Sequence, residues 1–304
     1  MLDCRVRGPI FDTVDTVLAT QPDYHRFRRG ELSQVDYAAL VDRCTPQLLD
    51  HGVPFADTRF AKRYPWSAER FVRTTLADLA SRSVIDAIDF DERAGLTLAR
   101  RLAEDYDHGD YHTYIYPEEG RLLFALASIV RPAHAVFLGS YYGYWAAFAI
   151  PPIVEAGGTV TLVDPDHRCN DAALRASAVS PHSRGVRIVT ATGEDFLREA
   201  RGSFDFVVLD AEGPRNHPDP GQRGKCVYAS LLRACLPRLA SGARLVCHNI
   251  LFEDVSGDAF FDGIRARNRR ELGPFLAAVH ERFGALVECA STEGVGIGRW
   301  SERA

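Results

Sequence analysis

From Pro117 onward the chain alternates short apolar runs with helix-length segments, and that alternation restricts the fold more than any other feature. AVFLG (135–139) ends in glycine, TVTLVD (159–164) ends in an acid, and Val186–Thr190, FDFVVLD (204–210) and ARLVCHN (243–249) follow. Between them lie PEEGRLLFALASIV, a segment from about Tyr144, another over Glu194–Ala200 and one near Tyr228–Leu239. Strands that are apolar almost throughout are buried on both faces, and strands separated by helices pair in parallel. The reading is α/β, a Rossmann-like doubly wound sheet with helices on both faces. A helix over Glu271–Phe283 and two strands, Ala285–Ala290 and Gly294–Trp300, close it.

The first third reads differently. Over Leu32–Asp50 and Ala68–Ala103 the apolar residues recur at three- and four-residue steps, as in Phe71, Leu76, Leu79 and then Leu96, Leu98, Leu102. This is the spacing of helices with one buried face, the second opened by Ser67 as N-cap with Glu69 behind it. EDYDHGDYHTYIYP (104–117) is aromatic and charged with no period, and reads as a linker or lid over the site that follows. The expected organisation is an N-terminal helical lid or acceptor region, 1–112, and a Rossmann-like domain, 113–304.

Composition removes several classes of function. With 36 basic against 41 acidic residues the net charge is −5, so no overall basic field draws the chain onto nucleic acid or anionic lipid. The longest apolar run, around Trp145–Val154, is interrupted by Pro151 and Pro152 and is far short of the roughly 20 residues of a membrane span. MLDCRVRGPIFDTVD at the N-terminus lacks the apolar core of a signal peptide, which makes the cytoplasm the expected location. Seven scattered cysteines with no C-x-x-C pair argue against a disulfide framework and a structural zinc site. Only Lys62 and Lys225 are lysines, which limits the candidates for a catalytic amine.

In open sheets of this kind ligands bind beyond the carboxyl ends of the strands. The first run leads into Gly139-Ser140-Tyr141-Tyr142-Gly143-Tyr144, where two glycines let a ligand approach backbone amides at a helix N-terminus. A glycine turn also serves tight packing, and neither G-x-G-x-x-G nor the Walker pattern is present. Asp164 adds weight to the ligand reading, because a carboxylate at the end of the second strand can accept bonds from ribose hydroxyls.

These residues carry a resemblance. The stretch from Tyr114 to about Val255 resembles the class I S-adenosylmethionine (SAM)-dependent methyltransferases, and among them the small O-methyltransferases of the catechol and caffeoyl-CoA type. The match runs in order through YPEEGRLLFAL, FLGSYYGYWA, LVDPD, ATGEDF, FDFVVLDAEG and SGARLVCHNIL, nearly half the chain. It implies a seven-stranded sheet with an antiparallel last strand and SAM as cofactor. By the same resemblance Gly139, Ser140 and Gly143 line the methionine part, Asp164 holds the ribose and Glu194 lies near the adenine; Tyr141, Tyr144 and Asp210 are further candidates for the cofactor site, and Asp210 and His248 for catalysis. A homodimer is compatible with it, since relatives of this fold are often dimers.

The departures concern the acceptor side. Metal-dependent members ligate magnesium through an aspartate after the fourth strand and an Asp-Asn pair after the fifth; here Asp210 and Asn249 match, but His248 stands between them. An imidazole in place of a carboxylate removes a charge and suits Mg²⁺ poorly, so a divalent metal on Asp210 and Asn249 is in doubt. The lysine that the family often carries shortly after the first aspartate is Gly213 here, and Lys225, twelve residues on, is either a solvated or carboxylate-paired surface lysine or one that swings in. His248 reads either as a general base with a solution pKa near 6.5 or as a structural residue. His108 and His112 lie in a loop-like stretch that argues against a helical metal pair. Tyr141, Tyr142, Tyr144 and Trp145 divide between core packing, preferred for Trp145, and a wall facing a sulfonium.

The function that follows is methyl transfer to a small-molecule acceptor, in specialised natural-product biosynthesis. The alternative on the same fold attacks the aminocarboxypropyl carbon, for example cyclising SAM to a four-membered amino acid with release of methylthioadenosine. A non-catalytic SAM-binding protein is a third reading.

Overall fold

The computed structural model describes residues 7–301 except 110, 112–114, 179, 254, 255 and 285. Tyr114 and His112, singled out from the sequence, lie outside the described residues, as does Ala285 at the start of one expected strand. The seven strands are β1 (His134–Leu138), β2 (Thr159–Asp164), β3 (Val186–Thr190), β4 (Phe204–Leu209), β5 (Leu239–His248), β6 (Val287–Cys289) and β7 (Val295–Arg299). They form one sheet in the order β3-β2-β1-β4-β5-β7-β6. Pairings from β3 to β5 are parallel, and β7 runs antiparallel to both β5 and β6. The seven-stranded class I methyltransferase sheet expected from the sequence is therefore present.

Alternation along each strand builds two cores. Ala135 and Phe137 of β1, with Phe206 and Val208 of β4, face α7 (Pro117–Val130) and α8 (Ala146–Glu155). Val136 and Leu138, with Val207 and Leu209, face α10 (Gly193–Glu199), α11 (Val227–Cys235) and α12 (Phe260–Phe283). Because both faces are covered, the strands lack a polar side, which is why they read as continuous apolar runs. The remaining sheet helix, α9 (His167–Ala178), follows β2.

Ahead of the sheet stand α1 (Arg7–Leu18), α2 (Pro22–Arg28), α3 (Gln34–Asp50), α4 (Phe55–Ala61), α5 (Ala68–Ser81) and α6 (Glu92–Asp105). The first four close a small core of their own around Leu18, Phe27, Tyr37 and Val41, with the Phe27 and Tyr37 rings stacked at 3.8 Å. Val72, Leu76 and Leu79 of α5 instead join the core beneath α7. The long periodic stretch 68–103 is two helices, because Ser83 takes a left-handed φ of 58° and Asp91 caps a new start by accepting from the Ala94 amide. Ser67 caps α5 as expected, accepting from Arg70 N. The expected helix at Glu271 begins earlier, at Phe260, since Phe261 packs against Phe60 and Asn268 donates to the Asn249 and Leu251 carbonyls.

The helical region is pinned to the sheet by buried cations. Lys62 Nζ meets both Asp42 and Asp258 at 2.5 Å. Arg63, 1% exposed, donates to the carbonyls of Ser291, Thr292 and Glu253. Each carbonyl that it satisfies belongs to a loop beside the carboxyl ends of the strands, so this contact positions the rim of the site.

Candidate active site

Strand order reverses between β1 and β4, and the crevice beyond their carboxyl ends is where a doubly wound sheet opens for a ligand. At Gly139 the backbone turns through a φ of +79°, and a Cβ there would lie 2.5 Å from Ala211 Cα, just past the end of β4. No side chain fits, so glycine is required by close approach as well as by conformation. Gly139 N and Ser140 N both donate to the Val163 carbonyl, at 3.0 and 3.1 Å, tying the turn to β2.

Asp164 completes this end. Its Oδ2 accepts from Tyr141 N at 2.9 Å and its Oδ1 from Asp166 N at 3.0 Å, while Asn170 Nδ2 holds its carbonyl at 2.8 Å. Burial raises its pKa, and the two amides offset part of that rise. A carboxylate has about four acceptor sites, so two remain for hydroxyl donors. Ser140 Oγ is buried in the same turn and has no hydrogen-bond partner among the described residues. Both features fit an adenosyl cofactor with polar groups to satisfy. Tyr141, in a left-handed conformation with φ 50°, is 37% exposed at the surface of the turn.

The other aromatic residues divide by burial. Tyr142 is buried, its hydroxyl 2.8 Å from His108 Nδ1 and its carbonyl accepting from Tyr106 OH at 2.8 Å. Tyr106, His108 and Tyr111 of the linker pack on Tyr142, and the first two also pack on Tyr144. His108 is thus part of an aromatic cluster over the glycine turn. Trp145 is core, donating through Nε1 to the Glu119 carbonyl. Glu194, in the first turn of α10, directs Oε1 at Ser230 Oγ and Gln222 Nε2 and so faces α11.

At the ends of β4 and β5 lies a chain of paired charges, buried except at Asp210. His248, at the end of β5 and 2% exposed, has Nε2 3.1 Å from Glu119 Oε2 and Nδ1 3.2 Å from Asp210 Oδ1. Lys225 Nζ lies 3.5 Å from the same Asp210 oxygen, 3.1 Å from the Ala211 carbonyl and 3.3 Å from Tyr228 OH. Burial pulls the His248 pKa down, but the charges of Asp210 and Glu119 more than offset it and carry it up to about 10. Burial likewise pushes Asp210 up, and the cations on His248 and Lys225 hold it below the ordinary carboxylate range. With a carboxylate at each ring nitrogen His248 is favoured as an imidazolium, a form with no nitrogen open to take up a further proton. Lys225 is likewise no solvated surface lysine; it is 6% exposed.

The three positions considered for a metal do not converge on one. Asp210 Oδ1 is engaged by two cations, and both His248 nitrogens are taken. Asn249, with φ 57°, turns its Nδ2 to Glu293 Oε2 at 3.0 Å. Among the described residues no group of three or more His, Cys, Asp or Glu is arranged to hold a metal ion. The donor set does not fit a resident magnesium.

Sequence reasoning missed Glu118 and Glu119. Two acids in the first turn of a helix look like solvated partners of its dipole, yet they are 2% and 0% exposed. Glu118 Oε1 accepts from the amide and hydroxyl of Thr292, and Glu119 Oε1 from Ser291 Oγ and the Glu293 amide. Burial, then the neighbouring Glu119 charge, lifts Glu118 to about 7. No local pattern announces these partners, which lie 172 to 174 residues away. A groove of about 1230 Å³ lies elsewhere, lined by α6, α8 and the end of α9, and it meets the strand-end site at Gly143 and the linker. The convergent polar groups sit instead at the strand ends.

Residues 136–250 match the model of a family described as a methyltransferase domain, a span that contains the glycine turn, Asp164, Asp210 and His248. The fold is similar to that of the methyltransferase PaMTH1 of Podospora anserina, solved bound to SAH. That protein is 17% identical over 74% of this chain and 95% of its own, with a TM-score of 0.51. An O-methyltransferase from Bacillus cereus in complex with SAH is 16% identical over 77% of this chain and all of its own, TM-score 0.48. TomG of Streptomyces achromogenes, involved in tomaymycin synthesis and solved with SAM, is 17% identical over 77% of this chain and 99% of its own, TM-score 0.47. None of the curated proteins compared with this sequence matches it. The chain therefore has the class I methyltransferase fold, and its residues 136–250 match a methyltransferase-domain model. No helix among the described residues is long and apolar enough to cross a membrane.

Proposed function

We propose that this protein is a SAM-dependent methyltransferase acting on a small-molecule acceptor in specialised, natural-product metabolism. The observation that carries the reading is the glycine turn at the switch point, where the buried Ser140 hydroxyl has no partner among the described residues and the Asp164 carboxylate has acceptor capacity to spare. In this reading Gly139, Ser140, Tyr141, Gly143 and Tyr144 line the methionine part, Asp164 takes the ribose hydroxyls, and Glu194 borders the adenine. Bound SAM supplies an activated methyl group on a sulfonium. The chain contributes orientation and exclusion of water: the linker aromatics cover the turn, and the 1–112 region, anchored by Lys62 and Arg63, walls the acceptor side. Asp210, with its side chain 27% exposed, is the carboxylate that faces the opening, and it orients an acceptor hydroxyl, amine or thiol through a hydrogen bond.

The test is mass spectrometry of the purified protein with SAM, with and without a panel of phenols, amines, thiols and carboxylic acids. S-adenosylhomocysteine formed only with an acceptor is the expected result. Methylthioadenosine formed from SAM alone, above the no-enzyme control, would replace the proposal with the cyclising chemistry.

A further inference from the structure

The geometry points to Lys225 as the resident cation of the acceptor site, standing in the place beside Asp210 that a divalent ion would need. This rests on the methyltransferase reading for its role in turnover, but not for the binding property that tests it. Three observations converge. Lys225 Nζ has three acceptors, Asp210 Oδ1, the Ala211 carbonyl and Tyr228 OH, one for each ammonium hydrogen. Tyr228 OH in turn lies 2.9 Å from the Leu209 carbonyl and 3.1 Å from the His248 carbonyl, so the lysine is anchored to the ends of both β4 and β5. On the far side of Asp210, His248 is locked between two carboxylates, and its ring lies 4.9 Å from that of Trp145.

A metal entering here would have to displace the ammonium from Asp210 and break the imidazole contact. It would gain in return one carboxylate that already serves two cations. The Lys225 backbone is held as well, its amide donating to Glu271 Oε2 at 3.1 Å. Lys225 is therefore a positioning residue, holding Asp210 in place and supplying fixed positive charge next to the acceptor.

The experiment is a Mn²⁺ titration of the metal-stripped full chain followed by electron paramagnetic resonance, on the wild type and on Asp210→Asn, with SAM affinity measured separately by calorimetry. The expected outcome is that Mn²⁺ stays free, or binds equally well to Asp210→Asn. Saturable binding that Asp210→Asn abolishes overturns the inference. SAM failing to bind overturns the functional reading instead, and the Mn²⁺ result stands apart from it. Once an acceptor is found, turnover is expected to survive EDTA, and Lys225→Met to lower kcat by about 100-fold, the scale of losing one electrostatic contact in an active site, with no rescue by Mg²⁺. Recovery of Lys225→Met by Mg²⁺ together with EDTA-sensitive wild-type turnover counts against it.

Discussion

The two ends of the proposed site are built on opposite principles. At the cofactor end the working groups come from backbone amides of one short turn and from Asp164, a carboxylate 25 residues downstream of Gly139. At the acceptor end Glu119, His248, Asp210 and Lys225 come from four separate elements and contact one another only in the folded chain. The first is a local device that keeps its capacity for a ligand; the second commits most of its polar groups to one another and leaves only the Asp210 carboxylate partly exposed among the four. Backbone turns can be carried through sequence change by a few glycines, whereas a buried charge chain holds only as a set, since any missing member leaves its neighbour charged and unpaired.

Substitutions at the acceptor end are accordingly expected to cost the most. Glu119→Leu strands His248 and the donors on Tyr116, Ser291 and Glu293, and should lower unfolding free energy by about 3–5 kcal/mol in urea titration. A cost no larger than that of an ordinary surface change would show that the charge chain adds little. Acidity probes the same chain. His248 has a folded pKa of about 10 against 6.5, so its contribution is complete below pH 6.5 and lost as pH rises toward 10. Glu118, raised from 4.5 to about 7, favours the folded state below pH 4.5 and loses that advantage as pH climbs through 7. The thermal midpoint should therefore fall between pH 7 and 10 in the wild type and stay flatter in His248→Gln.

The cofactor end should respond in affinity more than in stability. Gly139→Ala forces a left-handed residue and a clash with Ala211, costing about 1–2 kcal/mol of conformational strain before any backbone shift, and should weaken SAM binding in calorimetry. Asp164→Asn keeps the shape and removes the charge; a loss of about 1.5–3 kcal/mol in SAM affinity is expected for hydrogen bonds to a charged group. Unchanged affinity would remove Asp164 from the ribose role. The exposed Arg73–Glu92 pair, joining α5 to α6, sets the lower limit: breaking it with Arg73→Ala should leave the melting temperature within error.

Much of the architecture is legible in one dimension, and for physical reasons. Strands buried on both faces must be apolar throughout, so 135–139, 159–164 and 204–210 declare themselves, and Ser67 marks a helix start by the chemistry of its own side chain. The glycine turn is equally local. His248 could be placed at a strand end from sequence, but its protonation could not, because Glu119 lies 129 residues away and no spacing rule links them.

By itself, then, the sequence determined which segments become strands and helices, where the chain turns tightly, and which residues stand at the strand ends, all properties of neighbours along the chain. Only the tertiary structure decided which of those residues are charged, which are already partnered and which remain open to a ligand. Burial and long-range pairing set those states, and both come into being when β4, β5, α7 and the loop before β7 meet around Asp210 and His248.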